Sequence, residues 1–239
     1  MTWANNVFIV NKIFSAGLTL ISLFIVTAVY AEGSGSISPP RNPLVNELLT
    51  LRDKSIPTKI GDPIAGREKS QLCQGCHGEF GISSTRLIPK LAGQYSQYIE
   101  KQVRNYWAGT RSHQIMNAAA ATVNEADLPD VAAYFARQTR MIGDGSEGNP
   151  VGKNIYLRGE ASKLILACVN CHGIKGKGLD PSISMFPVIG GQHSDYIRKQ
   201  LVDFRGRSRT NSPNGIMNTI AKELTDAEID AVADYVSRQ

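Results

Sequence analysis

Two stretches of the chain repeat each other at a fixed distance, and this duplication constrains the fold more than any other feature. Residues 89–102 read PKLAGQYSQYIEKQ, and residues 187–200 read PVIGGQHSDYIRKQ, an offset of 98 residues. The offset is 95 at an earlier motif and 101 towards the C-terminus, so the second copy carries two insertions of three residues. Self-similarity over so much of a chain indicates a duplicated domain.

The repeat also sets the expected domain organisation. We predict a signal peptide in residues 1–31, an extension in 32–60, an N-terminal domain in 61–142 and a C-terminal domain in 143–239. Within each copy, apolar residues recur at steps of three and four, and no alternating strand pattern of useful length occurs. We therefore expect an all-α fold in which two related helical domains follow one another. In the first copy we predict an opening helix over 63–72 and a last helix from about residue 125, and in the second copy a capping box of Thr225 with Glu228 at the start of the last helix.

Residues 1–31 have the layout of a secretory leader. Lys12 is the only charged residue before Glu32, and the uncharged run that follows it ends in Val29-Tyr30-Ala31, a peptidase-type site. An uncleaved anchor is the alternative, because the run approaches the roughly 18 to 20 residues that a membrane helix needs. Both alternatives predict a periplasmic body, free or attached to the outer face of the inner membrane.

All four cysteines lie in two C-x-x-C-H motifs, at residues 73–77 and 168–172. On a helix this spacing places two thiols and an imidazole along one side, where the thiols can add to the vinyl groups of a haem. One such motif alone could be half a zinc site or a thioredoxin-like pair, but the chain has no βαβ pattern and carries the motif twice. We therefore predict two covalently bound haem c groups. The attachment residues are Cys73, Cys76, Cys168 and Cys171, and the first iron ligands are His77 and His172.

The second iron ligand is predicted from the repeat. Met116 and Met217 occupy equivalent places, each followed by Asn and a run of small residues, and only the two insertions change their distance from the motifs. The two remaining histidines are His113 and His193, and neither has a histidine at the equivalent position of the other copy. His113 is therefore only a weak rival as an iron ligand. His193 is expected at the start of the middle helix. Met141 and Met185 have no counterparts and are expected to pack.

Pro89 and Pro187 stand at equivalent positions after the two motifs. A metal-bound imidazole usually donates its free N–H to a carbonyl, which fixes the ring. The carbonyl groups of these prolines are therefore candidate acceptors, while the alternative is that each proline only starts a turn.

Each copy has the same order of motifs: C-x-x-C-H, Pro-x-Leu/Ile-x-Gly-Gln, a Met, and a final helix with Ala-x-Tyr. Together the two copies run from about Gly61 to Gln239. In this order of motifs the chain resembles the cytochrome c4 family, whose members have tandem class I cytochrome c domains. The resemblance implies approximate two-fold symmetry, haems that face one another, His/Met ligation, and proline carbonyl groups as acceptors for the ligand histidines. The long extension before residue 60 departs from the family pattern.

The resemblance also implies redox partners: a quinol-oxidising or dehydrogenase complex as donor and a terminal oxidase or reductase as acceptor. His/Met ligation closes both iron sites, so a one-electron carrier is expected rather than an enzyme. The alternatives are a fixed haem subunit of a dehydrogenase or oxidase complex, and, less favoured, a dihaem peroxidase or thiosulfate dehydrogenase. The net charge of +5 and the absence of basic runs with interleaved aromatics do not indicate nucleic-acid binding.

Overall fold

Every regular element is helical in the residues that the computed structural model describes, 60–179 and 184–239, which confirms the all-α prediction. The predicted leader and almost all of the predicted extension lie outside those residues. Between residues 60 and 142 the helices are α1 (Pro63–Lys69), α2 (Gln71–His77), α3 (Ser96–Trp107), α4 (Gln114–Ala121) and α5 (Leu128–Ala136).

The second half repeats this order. Its helices are α6 (Pro150–Arg158), α7 (Val169–His172), α8 (Ser194–Arg205), α9 (Ile216–Lys222) and α10 (Asp226–Ser237). Short 3₁₀ turns lie at Ala161–Lys163, Ile174–Gly176 and Pro213–Gly215. Across the described part of the chain, no helix is both long and apolar enough to cross a bilayer.

In each half the first helix crosses the last at a glycine. A Cβ at Gly66 in α1 would lie 2.0 Å from the carbonyl oxygen of Asp130 in α5, and a Cβ at Gly152 in α6 would lie 2.0 Å from that of Ala231 in α10. Only glycine lets the two backbones approach this closely. The first and last helices of each half are therefore in close backbone contact.

Several helix boundaries differ from the sequence prediction. The opening helix, predicted as 63–72, is interrupted at Ser70, whose side chain is buried and bonds the carbonyl of Arg67. The last helix of the first half begins at Leu128 rather than near residue 125, and the side chain of Asp127, which precedes it, accepts from no backbone N–H of the helix. The capping box of Thr225 and Glu228 is present as expected.

The two halves share a small apolar core. Tyr95, Met141 and Val188 are buried against one another, and Tyr98 packs beside them. The connector is bound to the last residues, because the backbone N–H of Gly143 donates to Gln239 O at 2.7 Å. Contacts from both halves thus hold the described residues together.

A polar network lies beside this core and links α3 to α8. Arg111 and Arg209, at equivalent positions, are 8% and 7% exposed. The Oε1 atom of Gln102 accepts from Arg111 Nη1 at 2.8 Å and from Arg209 Nη2 at 3.2 Å. The Oε1 atom of Gln200 accepts from the same two arginines, from Arg111 Nη2 at 3.0 Å and from Arg209 Nη1 at 2.6 Å. Two guanidinium groups therefore share the same two amide oxygens.

Each of these arginines also reaches a tyrosine of the opposite half. Arg111 donates to Tyr196 Oη and Arg209 donates to Tyr98 Oη, both at 3.0 Å. Burial alone would raise the pKa of Tyr196, but the charges of the two arginines lower it below its ordinary value. Within the described residues neither arginine forms an ion pair with a carboxylate.

Candidate haem sites

The motif helix of the first half ends at His77 because of the residue that follows it. Gly78 has φ of 86°, and a Cβ there would lie 2.3 Å from Ile82 O. In the second half Gly173 has φ of 74°, and its Cβ would lie 1.9 Å from Gly178 O. A residue other than glycine would be strained at either position, so the chain turns away directly after each motif histidine.

Each motif histidine contacts the carbonyl oxygen of the repeated proline. Nδ1 of His77 lies 2.8 Å from Pro89 O, and Nδ1 of His172 lies 2.9 Å from Pro187 O. A carbonyl can only accept, so Nδ1 is the donor in each pair. The ring is then held in one orientation with Nε2 as its free lone-pair nitrogen.

Burial determines the protonation of these motif groups. It lowers the pKa of His77 and of His172, and the proline carbonyl groups oppose this shift only in part. Burial raises the pKa of the Cys168 thiol to about 12 and that of Cys171 to about 11. A thioredoxin-like pair needs a thiol of lowered pKa, so this environment does not favour that alternative.

The two methionines lie in the first turn of equivalent helices, α4 and α9. The backbone N–H of Met116 donates to Nδ1 of His113 at 3.4 Å, and that of Met217 donates to Ser212 Oγ at 3.2 Å. His113, the rival ligand, is exposed and caps the helix that carries Met116. Each methionine therefore lies at a capped helix start.

The asparagine after each methionine ties that helix to the preceding one. Asn117 Nδ2 donates to Tyr106 O at 2.8 Å, and Asn218 Nδ2 donates to Phe204 O at 2.7 Å. The sequence shows both asparagines at equivalent places but gives no role for them. Their carbonyl acceptors, at the ends of α3 and α8, become apparent only in three dimensions.

His193 has a partner in the other half. It precedes the first residue of α8, as expected, and its Nε2 lies 2.9 Å from Ser83 Oγ and 3.0 Å from Ser83 O. Tyr95, its equivalent, donates to Leu179 O at 2.9 Å across the same boundary. Both residues therefore connect the halves and lie apart from the motif histidines.

The groups around each motif suit a covalently attached haem. All four thiols are free of disulfides, and each histidine retains one nitrogen for a metal. Leu72 and Ile115, next to Cys73 and Met116, are 60% and 66% exposed, and Ile174, two residues after His172, is 76% exposed. Apolar side chains exposed at these positions are available to contact a flat apolar macrocycle. The donor set and its surroundings thus fit two haem groups, one in each half.

Comparison with known protein families gives the same division of the chain. The family described as cytochrome c matches residues 65–138 and 152–239, one segment in each half. The chain is 37% identical to cytochrome c4 of Pseudomonas aeruginosa over 81% of its length and 96% of that relative. It is 35% identical to the thiosulfate dehydrogenase electron acceptor of Stutzerimonas stutzeri, over 70% of its length and 78% of that protein.

A solved structure shows the same arrangement of helices. The crystal structure of reduced recombinant cytochrome c4 from Pseudomonas stutzeri superposes with a TM-score of 0.70 at 34% sequence identity. The match covers 74% of this chain and 98% of that structure. The likeness therefore includes both halves and the boundary between them.

Proposed function

The chain belongs to the cytochrome c family, within its cytochrome c4 group, and on that premise we propose a periplasmic one-electron carrier with His/Met ligation at both irons. As a member of this group it is a dihaem c-type cytochrome that carries electrons, with two covalently bound haem c groups. The proposal adds the ligands, the compartment and the partners.

The ligand assignment follows the two halves. His77 and Met116 bind one iron, and His172 and Met217 bind the other. The observation that carries the histidine ligands is the Nδ1 contact of each histidine with its proline carbonyl, which leaves Nε2 for the metal. The methionine ligands are assigned from their equivalent positions in the repeat. Haem c supplies the one-electron change of its iron. The thioether favours Fe(II), which raises the potential into the range of late respiratory steps.

The chain's own residues define what the site excludes. With His77 and Met116 on one iron and His172 and Met217 on the other, neither iron would offer a place for oxygen or peroxide. Covalent attachment through Cys73, Cys76, Cys168 and Cys171 keeps the cofactor in place during repeated encounters. The geometry therefore favours a carrier over an enzyme.

The partners are proteins that donate and accept single electrons in the periplasm. One relative is named as an electron acceptor of thiosulfate dehydrogenase, which supports a dehydrogenase as the donor. A quinol-oxidising complex is the other class of donor, and a terminal oxidase or reductase is the acceptor. No nucleic acid is involved.

The test is a redox titration combined with haem quantitation on the mature, exported protein. We expect two haems per chain, both low-spin in the oxidised and reduced states, and two one-electron steps. The oxidised protein should show the far-red absorption band of a Met–Fe(III) bond at the intensity of two sites. A high-spin haem as isolated, or turnover of hydrogen peroxide, would overturn the carrier in favour of a dihaem peroxidase.

A further inference from the structure

Two buried glutamine side chains cross the boundary between the halves. Gln94 Nε2 donates to Val188 O at 2.8 Å, and Gln94 Oε1 accepts from Val188 N at 3.0 Å. Gln192 repeats this in the opposite direction, with Nε2 donating to Lys90 O at 2.9 Å and Oε1 accepting from Lys90 N at 2.8 Å. Both glutamines are 5% exposed. Each amide thus holds both backbone groups of one residue in the other half.

The two residues held in this way directly follow the prolines that contact the motif histidines. The carbonyl of Pro89 and the N–H of Lys90 belong to one planar peptide group, so they move together. Nδ1 of His77 donates to one side of that group, and Oε1 of Gln192 accepts from the other side. One rigid unit therefore connects the imidazole of the first half to a side chain of the second.

The equivalent series runs from the second half to the first. Nδ1 of His172 donates to Pro187 O, and the N–H of the next residue, Val188, donates to Oε1 of Gln94. Hydrogen bonds in series polarise one another, so a peptide whose N–H is bound has a carbonyl that accepts more strongly. A carbonyl that accepts more strongly draws the Nδ1 proton and makes the imidazole a stronger donor at Nε2.

We propose that Gln192 is a positioning residue for His77 and Gln94 is a positioning residue for His172, each acting from the opposite half through the shared peptide. The inference rests on the proposed His/Met ligation. It makes the donor strength of each motif histidine depend on the half that does not contain it. Loss of one glutamine therefore weakens the other half's histidine and raises that haem's potential, because a weaker donor favours Fe(II).

Gln192→Met and Gln94→Met test the proposal, since methionine has a similar length and neither donates nor accepts strongly. The readouts are the NMR signal and solvent exchange of each Nδ1 proton, and the potential of each haem followed through its own NMR resonances. In Gln192→Met we expect the His77 proton to exchange roughly 1.2- to 1.7-fold faster, because loss of the bond to Lys90 weakens its own bond to Pro89 O by about a tenth to a third, and the potential of the first-half haem to rise. The His172 proton and its haem should not change.

Gln94→Met should give the mirror image, with the change confined to His172 and the second-half haem. Gln138→Met is the matched control, because Gln138 donates to Tyr134 O at 2.8 Å within its own half. It should change neither imidazole proton. Gln192→Asn keeps an amide in the buried site but is too short to span it, and it replaces Gln192→Met if that variant does not assemble.

The pattern of the effect decides the outcome. Equal changes at both histidines, or changes in the glutamine's own half, would make the glutamines ordinary interface contacts and overturn the proposal. No change at either histidine would overturn it as well. In all these outcomes the variants keep the spectra of two low-spin haems. Failure of the proposed His/Met ligation would instead appear in the spectra of the unmodified protein, so the two proposals can fail separately.

Discussion

At the scale of single residues, the two methionines are the proposed iron ligands that lie outside the C-x-x-C-H motifs. Met116 and Met217 share a capped helix start and an asparagine on their C-terminal side, although the capping groups differ. Equivalent surroundings are stronger support for a ligand than the residue type, because a methionine is commonly a filler of apolar gaps.

Met217→Ala should open the second-half iron alone. We expect a high-spin signal from one haem of two and a lower potential for that haem, because the thioether no longer favours Fe(II). Absorption and electron paramagnetic resonance spectra with a redox titration measure both effects. Met185→Leu, at a methionine without a counterpart, should leave both haems low-spin. Met217 would not be the ligand if its removal left spectra and potentials unchanged.

Residues that connect the halves could be detected in the sequence but not interpreted there. Gln94 and Gln192 are visible as identical residues at equivalent positions. Their targets are backbone groups 94 and 102 residues away, and a bond to a backbone group so distant in sequence leaves no local pattern. The attachment motifs were recognisable because their chemistry depends on local spacing alone.

At the scale of elements, the methionine helices are held by a few side-chain contacts with their neighbours. Asn218 is buried and donates to Phe204 O and to Arg209 O, both at 2.7 Å. It therefore fixes the start of α9 against the end of α8. A helix fixed in this way keeps its methionine close to one position.

Asn218→Ala should loosen the second-half methionine. We expect added imidazole to bind the second-half haem about tenfold more tightly, since displacement of Met217 then costs less by roughly one to two ordinary hydrogen bonds. Loss of the far-red Met–Fe(III) band during an imidazole titration measures the affinity. Thr219→Ala, an exposed neighbour that bonds only Gly215 O, should keep the original affinity. Equal affinities in all three proteins would contradict the proposed role of Asn218.

The crossing of the first and last helices gives a prediction on stability. Gly152→Ala places a methyl group 2.0 Å from Ala231 O, so α6 and α10 must separate. We expect a loss of about 1 to 3 kcal/mol in the free energy of unfolding, as for other overpacked sites, measured by urea denaturation. Gly206→Ala, at φ of −80° with its nearest atom 3.4 Å away, should change stability by under about 0.5 kcal/mol. A neutral Gly152→Ala would mean that the helices need not pack so closely.

Helix type was predictable from periodicity, whereas helix ends were not. The apolar pattern continues through Ser70, but its buried side chain bonds Arg67 O and the helix stops there. Near residue 125 the sequence offers an acidic start, yet Asp127 makes no cap and α5 starts at Leu128. Such ends depend on the burial and hydrogen bonds of individual side chains, which apolar periodicity does not reveal, and the exact domain boundaries remain predictions.

At the scale of the whole molecule, two arginines with positive charge share one buried site between the halves. Arg111 and Arg209 bind the same oxygen atoms of Gln102 and Gln200, so their guanidinium groups lie side by side. Loss of one arginine removes the repulsion between the two positive charges. It also leaves each glutamine oxygen with one arginine donor, because both oxygens accept from both arginines. Both effects make the first loss less costly than the second.

The variants Arg111→Met and Arg209→Met should therefore be coupled. We expect the double variant to lose more unfolding free energy than the sum of the two single variants, by about 0.5 to 3 kcal/mol, in a urea denaturation cycle. Arg67→Met and Arg198→Met provide the control cycle, because these exposed arginines pair separately with Glu79 and Asp230. Their effects should add. Additive losses for the buried pair would show that the two guanidinium groups do not interact.

The reciprocal glutamine contacts have the pattern of an isologous homodimer, in which each copy offers the other the same group and the same target. A connector makes that association intramolecular, so it no longer depends on how much protein is present. Because each amide binds only the backbone of its target residue, the side chain at that position can differ between the two halves. Residue 90 is a lysine and its equivalent, residue 188, is a valine. The chain therefore has the internal pairing of a homodimer within one polypeptide.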